Sequence, residues 1–435
     1  MHEMVSTSRK RRSGAVRAGK MMKVYTMVAF STAVLLLAAC GSGGNTDSRN
    51  INERKPNLTE LEPAVVRADN RFGLELYLQM NKAQPEQNVV MSPYSVAMAL
   101  AMVQLGAEGS TREELDRVLH TDQLSPEARI QGHRILRELL EQSDSKARVF
   151  TANSLWIRKG ATIKPTYIEQ LHTQYAAEAK ELDFSRGRKA VQTINDWVSR
   201  KTDGKIGGIL EEPVSPQTLL YIVNTFYFNG KWQHPFPESQ TKPAEFAVKP
   251  DKRVQVPMMK QRSSLEYTQT PDFQWVRLPY GDGKLSMAIV LPAEHTSVNA
   301  VAEKLSADTE LWNRELKPQQ VLLELPRFKL EGKYSLNDAL QKLGLQEVFD
   351  AKQAQFGGIS DQMRLSINQV LHKTYLQVDE KGTVAAAVTS AEMAGSAPPA
   401  SDTVSMTVNR PFIVAIQSTE TGSLLFLGTI RDPLK

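Results

Sequence analysis

The sequence predicts a mixed α+β fold built from large, mainly antiparallel β-sheets with a set of helices around them. Three observations carry that expectation. Segments with strand character outnumber those with helical periodicity, and the helical ones gather in the first half of the chain. Leu219 to Phe228 is almost continuously apolar, the pattern of a strand buried on both faces. Near the C-terminus, Glu380 to Asp402 strings small residues between two β-prone stretches, Thr374 to Val378 before it and Thr403 to Val408 after it. No internal repeat is found.

The 435 residues are 41% hydrophobic and 23% charged, ample for a large core. The formal net charge of +5 misleads, because seven of the 53 basic residues and one of the 48 acids precede Cys40. The remainder carries a net charge of −1, so no global basic field for nucleic acid or an anionic membrane is expected. Residues 1–39 read as a signal peptide: basic residues from Arg9 to Lys23 precede a mainly apolar run from Val24 to Ala39. An uncleaved anchor is the alternative, for which about 16 residues is short. Met21 or Met22 is an alternative start. The run ends Leu37-Ala38-Ala39-Cys40, which resembles the lipobox of bacterial lipoproteins. That resemblance implies lipid on Cys40, a membrane anchor, and a bacterial envelope location. Gly41 rather than Asp after the cysteine favours the outer membrane or cell surface in a Gram-negative host. Cys40 is the only cysteine, so its lipidation excludes a cysteine nucleophile, a thiolate zinc site and disulfides. Residues 40–60 read as a tether, polar and Gly/Ser/Asn-rich from Gly41 to Asn57, although a poorly ordered domain terminus predicts the same composition. Residues 61–435 then form a single domain.

In order along that domain, Leu61 to Met80 places Val65, Phe72, Leu76 and Met80 near helical spacing. Asn88 to Met91 is a short strand that runs into Ser92-Pro93, and a buried helix begins there with proline in its first turn. Thr111 to Glu114 fits a capping box. Ile130 to Gln142 predicts an amphipathic helix carrying Arg134 and Arg137, with Arg129 just before it. Ala152 to Ile157 reads as a strand, and Ile194 to Val198 lies in a helix that ends at a turn containing Gly204. Strands are expected at Val256–Met259, Leu278–Gly281, Leu285–Pro292, Val321–Phe328, Pro411–Gln417 and 425–430. Ser335 to Leu343 predicts a helix ended by Gly344.

The loop has two parts. Gly382-Thr383-Val384-Ala385-Ala386-Ala387-Val388-Thr389 is small, uncharged and β-tolerant, whereas Ala394 to Ser401 is interrupted by Gly395, Pro398 and Pro399 and reads as a mobile loop. With Leu371-His372-Lys373-Thr374, Val378-Asp379-Glu380-Lys381 and Arg410-Pro411-Phe412-Ile413-Val414, this stretch resembles the reactive-centre loop of a serpin. Further runs match serpin motifs in family order: Asn88 to Leu100, Gly106 to Leu115, and Leu220-Tyr221-Ile222-Val223-Asn224-Thr225-Phe226-Tyr227-Phe228-Asn229-Gly230-Lys231-Trp232. The resemblance covers roughly residues 65–435 and implies a serpin fold with the reactive-centre loop at about 380–402. In that family a protease cleaves the loop, whose freed arm enters the main sheet as a new strand, a known case of strand addition with strain release.

The residues suit that step. Strand side chains alternate, so Thr383, Ala385, Ala387 and Thr389 share one face and can enter a packed sheet without burying a charge. No proline occurs between Gly382 and Pro398, and Gly382 frees the pivot. Val388 departs from the smaller residues usual in the family but is strand-compatible. By resemblance the hinge is Glu380, Gly382, Thr383, Ala385, Ala386 and Ala387. By resemblance Ser92, Ser95, Asn224 and His372 form the shutter, a hydrogen-bonded cluster behind the opening point; alone, each also reads as a satisfied core polar group. Trp232 matches the breach, where the loop enters, and also suits ordinary core packing. In some serpins a basic helix at 130–142 binds polyanions, but Glu138 and Glu141 interrupt the charge here and favour a solvated face.

By resemblance, counting from Glu380 with the spacing usual in the family puts the reactive bond at Ser396–Ala397, with Met393, Ala394 and Gly395 as alternatives. No Arg or Lys lies between Gly382 and Val408, which argues against trypsin-like targets. Elastase-like or subtilisin-like serine proteases are the expected partners of a monomer, with papain-like cysteine proteases a further class. Enzymatic activity is not expected: no Gly-x-Ser-x-Gly, His-Glu-x-x-His or phosphate-binding loop occurs, and Ser396 has no base nearby. Neither metal nor cofactor is implied. The competing expectation is a serpin fold that binds or chaperones without inhibiting. Charged, bulky or proline residues at the hinge would favour that alternative, and Thr383 to Ala387 has none.

Overall fold

Helix-starting prolines punctuate the first half of the chain, and the strands of two unequal sheets fill the second. The structure, a computed structural model, describes residues 57–142, 146–211, 213–383 and 403–435. The first half holds α1 (Pro63–Ala83), β1 (Val89–Met91), α2 (Pro93–Gly106), α3 (Gly109–Val118), α4 (Pro126–Glu141), β2 (Ala147–Arg158), α5 (Pro165–Tyr175), β3 (Glu178–Leu182) and α6 (Gly187–Lys201). Then follow β4 (Leu220–Lys231), β5 (Lys242–Lys249), β6 (Lys252–Gln269), β7 (Phe273–Tyr280), β8 (Leu285–Pro292), α7 (Val298–Ala307), β9 (Lys317–Pro326), β10 (Phe328–Ser335) and α8 (Asn337–Lys342). The last elements are β11 (Ile367–Asp379), β12 (Gly382–Thr383), β13 (Thr403–Thr407), β14 (Phe412–Ser418) and β15 (Leu424–Ile430). The predicted α+β class holds.

Proline opens α1, α2, α4 and α5, where its missing N–H costs nothing. Ser92, Ser125 and Ser297 cap α2, α4 and α7, each accepting a backbone N–H three residues on. Four local expectations need correction. Helix α4 begins at Pro126, so Arg129 lies inside it and is buried against Asp116 (Nη1 to Oδ1 2.8 Å). The predicted capping box is absent: Glu108 is the N-cap of α3, while Thr111 and Glu114 are buried. Glu114 instead accepts the backbone N–H groups of Gln346 and Glu347, a tertiary demand that local spacing does not reveal. The helix expected from Ser335 is shorter, because Ser335 still pairs with Leu371 in the sheet. The run Val321–Phe328 is two strands, separated at Arg327.

The nine-stranded sheet runs β1-β15-β14-β8-β7-β6-β9-β13, with β5 paired to β6. The six-stranded sheet runs β10-β11-β12-β4-β2-β3. Helix α2, buried at nearly every position, packs against β15 of the first sheet and β2 and β4 of the second. The main core lies there. A second apolar cluster, with Trp156, Trp197, Tyr221, Val223 and Leu371, brings α6 onto β2, β4 and β11.

Candidate functional site at the fork of the six-stranded sheet

Strands β11 and β4 pair directly and in parallel, from Ile367 opposite Leu220 up to Tyr375 opposite Tyr227. Beyond that pair the two strands part, and β12 enters between them. Gly382 lies opposite Asp379 on one side and Lys231 on the other; Thr383 lies opposite Val378 and Gly230. A side chain is excluded at Gly382, whose φ is +144° and whose Cβ would stand 2.1 Å from the Gly230 carbonyl oxygen.

The fork is anchored on three sides. Thr383 is fully buried, and its hydroxyl shares a 2.7 Å hydrogen bond with the Tyr280 hydroxyl. The Tyr280 ring stacks on Trp232 at 4.3 Å and 14°, and the Trp232 indole N–H donates to the Asp379 carbonyl at 2.9 Å. The backbone N–H groups of Trp232 and Phe236 donate to the carbonyls of Lys381 and Glu380. The Glu380 carboxylate accepts Arg327 Nε at 2.7 and 2.8 Å and the Thr241 hydroxyl. Burial acts to raise the Glu380 pKa, but the hydrogen bonds from Arg327 and Thr241 outweigh it and hold the carboxyl below its ordinary value.

Further down the seam, the structure joins Ser92, Ser95, Asn224 and His372, all fully buried. Ser92 N–H donates to His372 Nε2 at 3.0 Å, which leaves the ring proton on Nδ1, where it donates to Asn224 Oδ1. Asn224 Nδ2 in turn donates to the Ser95 carbonyl (2.9 Å), the Ser95 hydroxyl (2.6 Å) and Asn153 Oδ1. Burial pushes the His372 imidazole down to about 3, so it is neutral across the physiological range. Because His372 and Asn224 are register partners, their hydrogen bond crosses the β11–β4 seam itself.

Four participants were missed in the sequence. Asn153 carries a weak signal, a polar residue inside an apolar strand. Tyr280, Thr241 and Arg327 carry none, since they reach the fork only through tertiary contacts. Ala385, Ala386, Ala387, Met393, Ala394, Gly395, Ser396, Ala397 and Cys40 lie outside the described residues. The basic face of α4 is locally neutralised: Arg134 pairs with Glu138, and Arg137 pairs with Glu138 and Glu141.

Two sheets, one with a parallel seam entered at its fork by the start of a loop, define an architecture shared with known proteins. The profile of the family described as Serpin (serine protease inhibitor) matches residues 67–433. A serpin-like protein of Thermococcus kodakarensis is 34% identical over 375 residues, 86% of each chain. The native-state structure of tengpin, a thermophilic serpin, aligns with a TM-score of 0.78 at 28% identity, over 84% of this chain and 94% of that one. Human thyroxine-binding globulin complexed with its hormone aligns with a TM-score of 0.77 at 28% identity, over 85% and 99%. The chain belongs to the serpin family. Its members are mostly protease inhibitors rather than enzymes, and some, such as thyroxine-binding globulin, do not inhibit.

Proposed function

We propose that this serpin is a suicide-substrate inhibitor that traps elastase-like or subtilisin-like serine proteases as covalent acyl complexes, with papain-like cysteine proteases a further target class. The observation that carries the reading is the seam itself: β11 and β4 pair directly, and only Gly382 and Thr383 are seen between them among the described residues. Continuing their register down the seam sets Ala385 opposite Leu376 and Phe228, Ala387 opposite Thr374 and Phe226, and Thr389 opposite His372 and Asn224. These facing residues are fully buried, so only small side chains fit. Thr389 would meet the polar cluster with a hydroxyl able to replace part of the hydrogen bonding that its entry breaks. Val384, Val388 and Glu392 fall on the opposite face, which keeps the one carboxylate of the segment off the inner core.

In the proposed step, the protease serine hydroxyl attacks the Ser396 carbonyl carbon. The Ser396–Ala397 peptide bond breaks, the Ala397 amine leaves with the proton, and an ester joins Ser396 to the protease. Insertion of the arm ahead of Ser396 then exchanges the direct β11–β4 pairing for pairing of each strand with the arm, which also satisfies the backbone groups of the arm. We further assign the chain to a lipid anchor at Cys40 in a bacterial envelope, on the strength of the Leu37–Cys40 motif and the tether that follows.

Residues 45–435 mixed with pancreatic elastase and run on a denaturing gel test the reading. A resistant complex, with a C-terminal peptide beginning at Ala397, is the expected result. Cleavage by elastase, subtilisin and papain alike, with no complex and no gain in heat stability, would leave a non-inhibitory binding or chaperone protein.

A further inference from the structure

The top of the directly paired seam is closed by a ring contact. Tyr375 and Tyr227 are the uppermost register partners of β11 and β4, and their centroids stand 6.1 Å apart at 51°. Tyr227 also meets its β2 partner Phe150 at 5.4 Å. The row is clamped at its ends by cations, Arg148 at 4.8 Å from the Phe150 centroid and Lys329 at 5.3 Å from that of Tyr375. Tyr227 is buried, and its hydroxyl has no hydrogen-bond partner among the described residues, so its place in the row is held by ring packing.

We propose that the Tyr227–Tyr375 contact is an aromatic clasp that sets how fast the seam opens to an incoming strand. The inference rests on the insertion reading above and names residues that position the sheet for it. An inserted strand separates β11 from β4 by one further inter-strand spacing, about 4.8 Å, which takes the two rings out of contact. The Phe150–Tyr227 contact joins β2 to β4 and survives insertion unchanged. One row of rings therefore contains a contact that must break and a contact that need not. Two further ties across the directly paired seam lie lower: His372 to Asn224, and the α6 cluster over Leu371 and Val223. A strand advancing from Thr383 meets the clasp before either of them.

The test uses the full-length chain in mild detergent and a synthetic peptide with the sequence of Gly382 to Met393, so that no protease is involved. Uptake is followed on native gels and as gained heat resistance. Tyr375→Val is expected to take up the peptide about two- to tenfold faster than the parent chain, the range an aromatic pair commands. Tyr375→Phe, which keeps the ring, stays at the parental rate, as does Phe150→Val, which removes the contact that does not cross the seam. Equal rates for Tyr375→Val and the parent would overturn the clasp and leave insertion standing. Equal acceleration by Phe150→Val would also overturn it, because general loosening of the sheet would then explain the effect. Refusal of the peptide by every variant below its unfolding temperature would mean that the sheet does not open, and insertion and clasp would fall together.

Discussion

In the nine-stranded sheet, β8, β14 and β15 are buried at every position, and β14 lies antiparallel to both of the others. In the six-stranded sheet, β11 alternates buried with half-buried residues from His372 onward, places His372 and Thr374 in the core, and pairs with β4 in parallel. Both sheets satisfy their backbones, but what crosses between neighbouring strands differs. Between β14 and its neighbours the side chains offer apolar area, which strand separation would surrender to water at about 25 cal/mol per Å². Between β11 and β4, apolar partners such as Leu371 and Val223 share the seam with a neutral imidazole bonded to an amide and one pair of rings. Hydrogen bonds can be exchanged for others of equal quality; buried apolar area has no such substitute. A sheet that must admit another strand is better tied by the former.

The comparison can be broken first at the fork. Thr383→Arg would carry an unpaired charge into a fully buried position, a cost of several kcal/mol. Insertion should fail while cleavage continues, so that titration against elastase reads turnover instead of a complex. Unimpaired complex formation would show that Thr383 need not stay buried. In the nine-stranded sheet, Leu427→Ala should cost about 2–5 kcal/mol in urea unfolding, because Leu427 is fully buried between its strand partners Met91 and Ala415 and its truncation leaves a cavity.

The polar tie carries a pH signature. The His372 imidazole lies at about 3 in the folded chain against an ordinary 6.5, so the unfolded chain binds more protons between those values. Stability is complete above pH 6.5 and is lost as the pH falls through that window, by about 2 kcal/mol at pH 5. His372→Gln should flatten the dependence of the urea midpoint on pH; an unchanged slope would place the effect elsewhere. The smallest effect is expected from Arg327→Ala. Arg327 is 44% exposed, and Glu380 keeps the Thr241 bond, so about 1 kcal/mol is at stake. It should emerge as faster hydrogen exchange at the Trp232 and Phe236 amides, which hold the Lys381 and Glu380 carbonyls.

How much of this was legible beforehand follows the range of the interactions. Leu219 to Phe228 read as a buried strand because burial on both faces leaves an unbroken apolar run, and β4 is that strand. Ser92, Ser95, Asn224 and His372 could be grouped only through family motifs, since they lie up to 280 positions apart and no periodicity links them. The Glu380 partners could not be read at all: an arginine following a proline at the end of a strand looks the same whether it faces solvent or a carboxylate. Thr111 to Glu114 shows the opposite failure, a local motif whose residues were taken over by contacts with Gln346, Glu347 and Gln355.

The arrangement of the last three strands has a bearing on how a nicked molecule is recognised. β13 lies along β9, β14 between β8 and β15, and β15 against β1, so residues 403–435 are woven into the nine-stranded sheet from both directions. A chain nicked anywhere between Val384 and Asp402 therefore keeps its C-terminal piece by non-covalent pairing alone. Gel filtration or native mass spectrometry would count nicked and intact chains as the same particle. A denaturing separation, or an antibody against the newly exposed end, tells them apart.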